Sequence, residues 1–174
     1  MNRIITSIIL IIILPFLILI ASIILIIDRH PIFFVQERIG KNKKIFKIYK
    51  FRTMDNNKIT ALGKFLRRTG IDEIPQLINI LIGDMNFIGP RPLTKQDVIR
   101  LEWNTTFHDI RWGIKPGITG LSQLSPICNK RASFFLDKFY VNNHSVILHG
   151  KIIFTSVLIL FLGKRKGRKL FFKR

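Results

Sequence analysis

The chain has 174 residues, which leaves room for one domain of ordinary size and a short additional segment. It carries 29 Lys and Arg against 10 Asp and Glu, for a formal net charge of +19, and its one cysteine is Cys128. A single cysteine excludes an internal disulfide framework and favours a small buried side chain at that position. The positive charge predicts a polyanionic partner, such as nucleic acid, anionic lipid headgroups or a phosphorylated substrate.

The N-terminal segment has the composition of a membrane helix. Residues 4–27 contain no charged side chain and are mostly Ile and Leu. As a helix they would extend roughly 36 Å at about 1.5 Å per residue, enough to cross a hydrocarbon core of about 30 Å. This run exceeds the apolar region of a signal peptide and ends in a charged segment, so we expect no cleavage. Residues 1–30 are therefore predicted to be a membrane helix.

Pro15 lies near the middle of this helix and leaves two alternatives for its path. A proline there removes one helical hydrogen bond and clashes with the preceding turn, so we expect a kink. The segment then either spans the membrane as a bent helix or turns back and leaves by the face it entered. The basic residues that follow it place residues 31–174 in the cytoplasm in both cases.

The pattern after Pro31 predicts a β-hairpin. Residues 32–39 and 44–52 alternate in the manner of strands, and they are separated by a Gly/Asn turn at 40–43. The alternation places Lys50 and Arg52 on one side of the second strand. Two cations there could bind an anion together, or they could form a solvated edge that discourages aggregation, and both interpretations stay open.

Asp72 and Glu73 are adjacent carboxylates in a chain that has few acids. A helix is predicted to end near Arg67 and Arg68, before Gly70, and a second helix to begin at the carboxylates and stop at Gly83. Pro75 agrees with a helix start, because a proline in the first turn loses an amide that had no intrahelical partner. The free amides of such a start favour ionised carboxylates and attract phosphate oxygens.

The C-terminal half contains two loops stiffened by proline and glycine. Pro90 and Pro92 fix Arg91 on a rigid backbone, so this arginine loses less conformational entropy when its guanidinium binds a phosphate through two hydrogen bonds. The alternative is a rigid turn whose arginine pairs with Asp84. Lys115 lies in the second loop, between helical stretches predicted at 95–112 and 134–140. Residues 152–162 are apolar but too short to span, and with the basic tail at 164–174 they predict an interfacial helix.

The polar groups collected in this way favour phosphate chemistry. Mg²⁺ prefers one or two carboxylates together with substrate phosphates, so Asp72 and Glu73 are candidate ligands for phosphoryl transfer from a nucleotide diphosphate. An aspartate can also attack phosphorus and form a covalent acyl phosphate. The four histidines lack a zinc spacing, and there is no serine-hydrolase or nucleotide-binding glycine motif. The cations around the pair are Lys50, Arg52, Arg67, Arg68, Arg91 and Lys115.

Five segments occur in the order and spacing of one protein family. They are residues 33–40, 46–54, 66–77, 83–93 and 115–121. In these segments the chain resembles the bacterial sugar transferases, which are small monotopic phosphoglycosyl transferases also known as polyprenyl-phosphate hexose-1-phosphate transferases. The resemblance implies an α+β monotopic membrane protein with an N-terminal re-entrant helix broken at Pro15, a β-hairpin and several interfacial helices. It also implies a catalytic domain on the cytoplasmic face of the bacterial inner membrane.

The resemblance implies roles for individual residues. Asp72 would attack the β-phosphate of a UDP-sugar and release UMP, and a polyprenyl phosphate, usually undecaprenyl, would then accept the phosphosugar. Glu73 would hold Mg²⁺ together with Asp72. The residues matched to phosphate and nucleotide binding are Lys50, Arg52, Arg67, Pro90, Arg91, Pro92 and Lys115. The expected partners are a UDP-sugar, a polyprenyl phosphate and an anionic bilayer, and nucleic acid is not expected.

The chain departs from the family pattern at three places. Leu14 precedes Pro15 where the family has serine, and Gly70 replaces the serine before the carboxylates. Residues 124–131 replace the usual Asn-Gly-Arg, and Arg131 is a candidate substitute for its arginine in sugar recognition. The alternative function is a non-enzymatic, basic, membrane-anchored protein that binds anionic lipid or nucleic acid through residues 38–68 and 164–174.

Overall fold

The computed structural model describes residues 2–126 and 129–162. This part of the chain contains seven α-helices and three two-stranded sheets, so the predicted α+β class is confirmed. It forms two compact units: the first consists of the residues up to Glu37 with Lys47–Gly83, and the second of Arg38–Phe46 with the residues from Asp84 onward. The predictions for Cys128 and for the basic tail at 164–174 fall outside the described residues.

The first unit begins with the apolar helix α1, Asn2–Ile27. Its segment Arg3–Ile27 is the one described helix that is long and apolar enough to cross a membrane, judged by length and composition. The helix continues through Pro15, so this proline does not divide the segment into two helices. Many of its large aliphatic side chains are exposed, whereas Ile20 and Ile24 are buried against Phe51 and Leu66.

Both ends of α1 are bonded to other parts of the first unit. Near its start, the Arg3 guanidinium donates to the carbonyl of Ile82 at 3.0 Å. Just past its end, the Asp28 carboxylate accepts from the Thr60 hydroxyl at 2.9 Å. These two side-chain bonds fix α1 to the unit at positions 25 residues apart.

The predicted β-hairpin is present. Strand β1, Phe33–Ile39, pairs with β2, Ile45–Phe51, and a 3₁₀ turn at Lys41–Lys43 joins them. Asn42 occupies the left-handed region in this turn with φ of 53°, a conformation that asparagine tolerates better than most side chains. A second, shorter hairpin of β3, Met54–Asp55, and β4, Lys58–Ile59, was not predicted, since strands of two residues leave no alternation to detect.

Two helices of the first unit surround the carboxylate pair. Helix α2, Ala61–Thr69, ends at Gly70, which has a left-handed φ of 74°. Residues Ile71–Gln76 then form a 3₁₀ helix, and α3, Leu77–Ile82, ends at Gly83. The sequence predicted both stops, but it did not predict that the carboxylates lie on a 3₁₀ helix. Pro75 accounts for this difference, because it has no amide to donate and disfavours the α conformation for the residue before it.

The second unit is built around a parallel pair of short strands. Strand β5, Asn86–Ile88, pairs with β6, Gly117–Thr119, with Ile88 opposite Thr119. Between them, the helical stretch predicted at 95–112 is two elements: α4, Lys95–Leu101, and a 3₁₀ helix at Thr106–Gly113. Short parallel strands need a partner far away in sequence, so local alternation did not reveal them.

Three further helices complete the described part of the second unit. They are α5, Leu121–Leu124, α6, Lys130–Asn143, and α7, Val146–Leu162. The second predicted helix, at 134–140, thus lies within the longer α6, and the apolar helix predicted from residue 152 begins six residues earlier. Trp103 and Trp112 are buried in a core cluster with Phe134.

Candidate active site

The carboxylate pair lies in the first turn of the 3₁₀ helix that follows Gly70. The left-handed backbone of this glycine ends α2 and turns the chain into the new helix within one residue. Asp72 is only 8% exposed, whereas Glu73 is partly accessible and accepts a short hydrogen bond from the Lys50 ammonium at 2.6 Å. The predicted association of Lys50 with the pair is therefore observed, through Glu73.

Arg67 is fixed at the end of α2 by an unusually close packing contact. Its guanidinium Nε donates to the Thr53 hydroxyl at 2.7 Å. Helix α2 can approach Thr53 because residue 63 is glycine: an added Cβ would lie 2.1 Å from the Thr53 carbonyl oxygen. Gly63 is thus a residue of the site that sequence reasoning missed. The only signal for this role in the sequence is the presence of a glycine inside a short helix.

The electrostatic environment of Asp72 opposes its ionisation. Burial raises the pKa of Asp72 above its ordinary value, and the neighbouring Glu73 carboxylate raises it further. The positive charges of Lys50 and Arg67 lower the pKa of Asp72, but they do not cancel the rise. The carboxylate of Asp72 is therefore poorly solvated and incompletely compensated, so a bound cation or a covalent bond to its oxygen would relieve an unfavourable charge.

Asn79 holds the strand that carries Lys50, and it was also missed. Its side chain is fully buried, accepts from the Tyr49 amide at 3.2 Å and donates to the Lys47 carbonyl at 2.7 Å. An asparagine satisfies both backbone groups of an edge strand, because its amide is both donor and acceptor. A polar residue inside the Leu and Ile run of α3 was the available signal.

Two predicted cations of the first unit have other contacts. The Arg52 Nε donates to the Pro31 carbonyl at 3.2 Å. Lys50, two residues before Arg52, contacts Glu73 instead. The Arg68 guanidinium lies over the Phe65 ring, 5.9 Å from its centre. The structure therefore brings Asp72, Glu73, Lys50 and Arg67 together, while a role for Arg52 in binding phosphate stays a prediction.

The remaining predicted site residues belong to the second unit. Pro90, Arg91 and Pro92 form a turn after β5, and Lys115 precedes β6. The Arg91 side chain is exposed. Among the described residues it forms no salt bridge, so the alternative in which it pairs with Asp84 is not observed. Arg91 remains available to an anionic ligand.

The backbone of this turn is held from three different segments. The Pro90 carbonyl accepts from the Gly117 amide at 3.0 Å, and the Leu93 carbonyl accepts from the Ile39 amide at 2.8 Å. Between them, the Arg91 carbonyl accepts from a side chain, the Arg111 guanidinium, at 2.9 Å. The prediction that this turn is rigid is supported by these three bonds.

The donor set of the carboxylate pair fits Mg²⁺. No cluster of three or more His, Cys, Asp or Glu side chains that could hold a metal occurs within residues 2–126 and 129–162. Mg²⁺ does not require one, because it usually takes one or two protein carboxylates and completes its shell with water and substrate phosphates. Asp72 and Glu73 supply that number of carboxylates.

Substitution of Gly63 with Ala is expected to lower stability and displace Arg67. The new Cβ would overlap the Thr53 carbonyl, so α2 must move away, at a cost of about 1–3 kcal/mol in unfolding free energy. Denaturant titration of the purified protein measures this loss. The matched control is Gly113→Ala, where the added Cβ meets nothing within 4 Å. Equal stability of the two variants would contradict the close-contact argument.

Comparison with known proteins places the chain in a family. The sequence model described as bacterial sugar transferase matches residues 1–163. The exopolysaccharide production protein PSS of Rhizobium leguminosarum bv. phaseoli is 34% identical over 170 residues, which cover 83% of this chain and 84% of that protein.

Other relatives are longer than this chain. The UDP-glucose:undecaprenyl-phosphate glucose-1-phosphate transferase of Klebsiella pneumoniae is 34% identical over 184 residues, covering 92% of this chain and 39% of that protein. The UDP-N-acetylgalactosamine-undecaprenyl-phosphate N-acetylgalactosaminephosphotransferase of Aeromonas hydrophila is 32% identical over 168 residues, covering 86% of this chain and 40% of that protein. The chain thus spans about two fifths of these two relatives. With the match over nearly its whole length, it belongs to the bacterial sugar transferase family, and the predicted enzyme class, a transferase, is confirmed.

Proposed function

We propose that the protein transfers a sugar-1-phosphate from a UDP-sugar to a polyprenyl phosphate, in the first membrane step of glycan assembly. Two relatives whose names specify undecaprenyl phosphate as acceptor support this reaction, and one of those names specifies UDP-glucose as donor. The observation that carries the proposal is the buried Asp72, whose carboxylate is destabilised by burial and by Glu73 while two cations, Lys50 and Arg67, act on it.

In the first half of the reaction, Asp72 acts as the nucleophile. One of its carboxylate oxygens attacks the β-phosphorus of the UDP-sugar and forms a new phosphorus–oxygen bond. The bond between the β-phosphorus and the oxygen bridging to the α-phosphate breaks, and UMP leaves with that electron pair. The product is an aspartyl-phosphosugar. A carboxylate that is poorly solvated gains more from this bond than a solvated one, because it loses an unfavourable charge.

In the second half, the acceptor restores the enzyme. A phosphate oxygen of the polyprenyl phosphate attacks the same phosphorus, the bond to Asp72 breaks, and the carboxylate is released with its electron pair. A polyprenyl diphosphosugar is formed. No proton has to move if the acceptor phosphate is fully ionised, so the chain needs no dedicated general base for this step.

The cations and a metal ion would neutralise the negative charge of the phosphates. Lys50 keeps Glu73 in place and, with Arg67, adds positive charge around Asp72. Arg91 is an exposed arginine on a fixed turn and is the candidate for two-pronged binding of a donor phosphate. Mg²⁺ bound to Asp72 and Glu73 would neutralise phosphate charge when present. Lys115 and Arg52 are further candidates for the nucleotide phosphates.

We also propose that α1 bends at Pro15, where one helical hydrogen bond is lost, and so enters and leaves the bilayer on the same, cytoplasmic face of the bacterial inner membrane. The exposed aliphatic side chains along α1 suit a hydrocarbon environment. The bonds of Arg3 to Ile82 and of Thr60 to Asp28 tie both ends of α1 to one unit. A re-entrant path is compatible with these bonds, because it keeps both ends of the helix on one side of the membrane. The exposed apolar residues of α7, such as Val146 and Phe154, would suit a membrane interface.

A topology measurement is expected to place the N-terminus on the cytoplasmic side. A cysteine introduced at Asn2, before the apolar segment and in a Cys128→Ser background, should react with an impermeant maleimide in inverted membrane vesicles and not in intact spheroplasts. A cysteine at Lys58 is the matched control, since it lies in the same unit and should behave identically. Labelling of the Asn2 position in spheroplasts alone would show that α1 spans the bilayer.

The test of the activity is release of UMP by the purified protein in lipid. UDP-sugars are supplied one at a time with Mg²⁺ and undecaprenyl phosphate, and one of them should give UMP and a lipid-linked product. The alternative, a non-enzymatic basic protein that binds anionic lipid or nucleic acid, predicts no UMP with any donor. It also predicts binding that falls steeply with salt and does not depend on Asp72.

A further inference from the structure

Arg111 is a buried cation that the proposed reaction does not use. Its side chain is 1% exposed, and that of Asp137, with which it pairs, is 4% exposed. The Asp137 Oδ2 accepts from the Arg111 Nε at 3.2 Å and from its Nη2 at 3.0 Å. Burial raises the pKa of Asp137 even though Arg111 and the Ser122 hydroxyl lower it. A buried pair of this kind needs an explanation, because well-packed apolar residues are often at least as stable in its place.

The surroundings of Arg111 hold its guanidinium in one plane. The guanidinium carbon lies 4.4 Å from the centre of the Trp112 ring and 5.1 Å from that of Trp103. Both rings belong to the buried core. Two aromatic rings and a carboxylate thus fix the position of the guanidinium.

The same guanidinium also bonds to the turn that carries Arg91. The Arg111 Nη2 donates to the Arg91 carbonyl at 2.9 Å. Pro90 and Pro92 on either side of Arg91 have no amide to donate, so the turn can be held only through its carbonyls and the Arg91 amide. The Pro90 and Leu93 carbonyls accept from backbone amides, whereas the Arg91 carbonyl accepts from the Arg111 side chain.

We infer that Arg111, anchored by Asp137, is a positioning residue that fixes the backbone of Arg91 so that its exposed guanidinium meets a phosphate of the nucleotide-sugar in one orientation. This role rests on the proposed function, in which Arg91 binds the donor. Arginine is required for it, because a lysine cannot bond to the carboxylate with two nitrogens in a plane and still donate to the carbonyl. A displacement of about 1 Å in a binding group can cost about 100-fold in rate.

The decisive variant removes the whole pair. Substitution of Arg111 alone strands a buried carboxylate and can prevent folding, whereas Arg111→Met with Asp137→Leu leaves an apolar core and removes only the bond to Arg91. We expect the pair variant to stay folded. Its kcat/KM for the UDP-sugar should fall about 10- to 100-fold. Because the two half-reactions are separate, kcat/KM for the polyprenyl phosphate should change much less.

A cycle with Arg91→Ala separates positioning from general damage. If Arg111 acts through Arg91, the pair substitution should cause little further loss when Arg91 is already Ala. The matched control is Lys43→Gln with Asp109→Asn, which removes an exposed ion pair between the hairpin turn and the 3₁₀ helix of Arg111 and should leave kcat/KM unchanged. A pair variant with the wild-type kcat/KM, or losses that add in full, would overturn the inference.

A second measurement does not depend on activity. Amide hydrogen exchange of the segment 88–93 should become at least about tenfold faster in the pair variant, while the amides of α6 stay protected. Unchanged exchange in this segment would overturn the inference even if no activity is found. Absence of UMP release by the wild-type protein, together with faster exchange in the variant, would instead contradict only the proposed function.

Discussion

Replacement of Asp72 with Asn is expected to abolish UMP release while making the protein no less stable. The amide cannot form the acyl phosphate, so turnover should fall by about 10⁴-fold or more, the order seen when an enzyme loses its nucleophile. Burial and Glu73 raise the pKa of Asp72, which means that its ionised form is disfavoured in the folded state. A neutral side chain of the same shape removes that cost, so the unfolding free energy at neutral pH should hold or rise.

The pH dependence of this stability difference has a defined sign. A carboxyl whose pKa is higher in the folded than in the unfolded state destabilises the fold above its folded pKa, and this cost disappears below its unfolded pKa, about 3.9. The advantage of Asp72→Asn should therefore be present at neutral pH and vanish in acid. Asp109→Asn, at an exposed carboxylate, is the control and should keep its activity. An Asp72→Asn variant with the wild-type rate would remove this residue from the chemistry.

Substitution of Arg111 with Met alone is expected to cause the largest loss of stability. Methionine fills much of the space between the two tryptophans, but it leaves the Asp137 carboxylate buried without its cation. Removing one member of such a pair costs about 3–5 kcal/mol. Denaturant titration should show this loss as a lower transition midpoint, and the addition of Asp137→Leu should restore most of it.

The comparison of the two variants is the informative result. If Arg111→Met were as stable as the wild-type protein, the carboxylate would have to be solvated or protonated at little cost. If the addition of Asp137→Leu did not restore stability, the loss would come from packing around the tryptophans. Either result would contradict the view that the buried charge of Asp137 sets the cost.

Local signals in the sequence predicted the elements that carry the site. The hairpin, the stop of α2 before Gly70 and the stop of α3 at Gly83 depend on residues that are neighbours in the chain. Lys50 was expected among the cations around the carboxylates, but its direct pairing with Glu73 was not predicted. These features were accessible because turn residues, helix stops and charge all act over a few positions.

The contacts that hold the site could not be predicted in this way. Asn79 supports β2 from 30 residues away, and Gly63 is needed only because Thr53 packs against α2. The pairing of β5 with β6 and the bond from Arg111 to Arg91 join positions about 20 to 30 residues apart. Such residues show no local pattern, since the partner that gives each of them its role is supplied by the tertiary fold.

The bond from Thr60 to Asp28 has a mechanical consequence. Thr60 caps the first turn of α2, accepting from the Gly63 amide while it donates to Asp28 at the end of α1. Helix α2 carries Arg67 at its other end, so the residue that ties the end of α1 to the unit also fixes the first turn of the helix that positions this guanidinium.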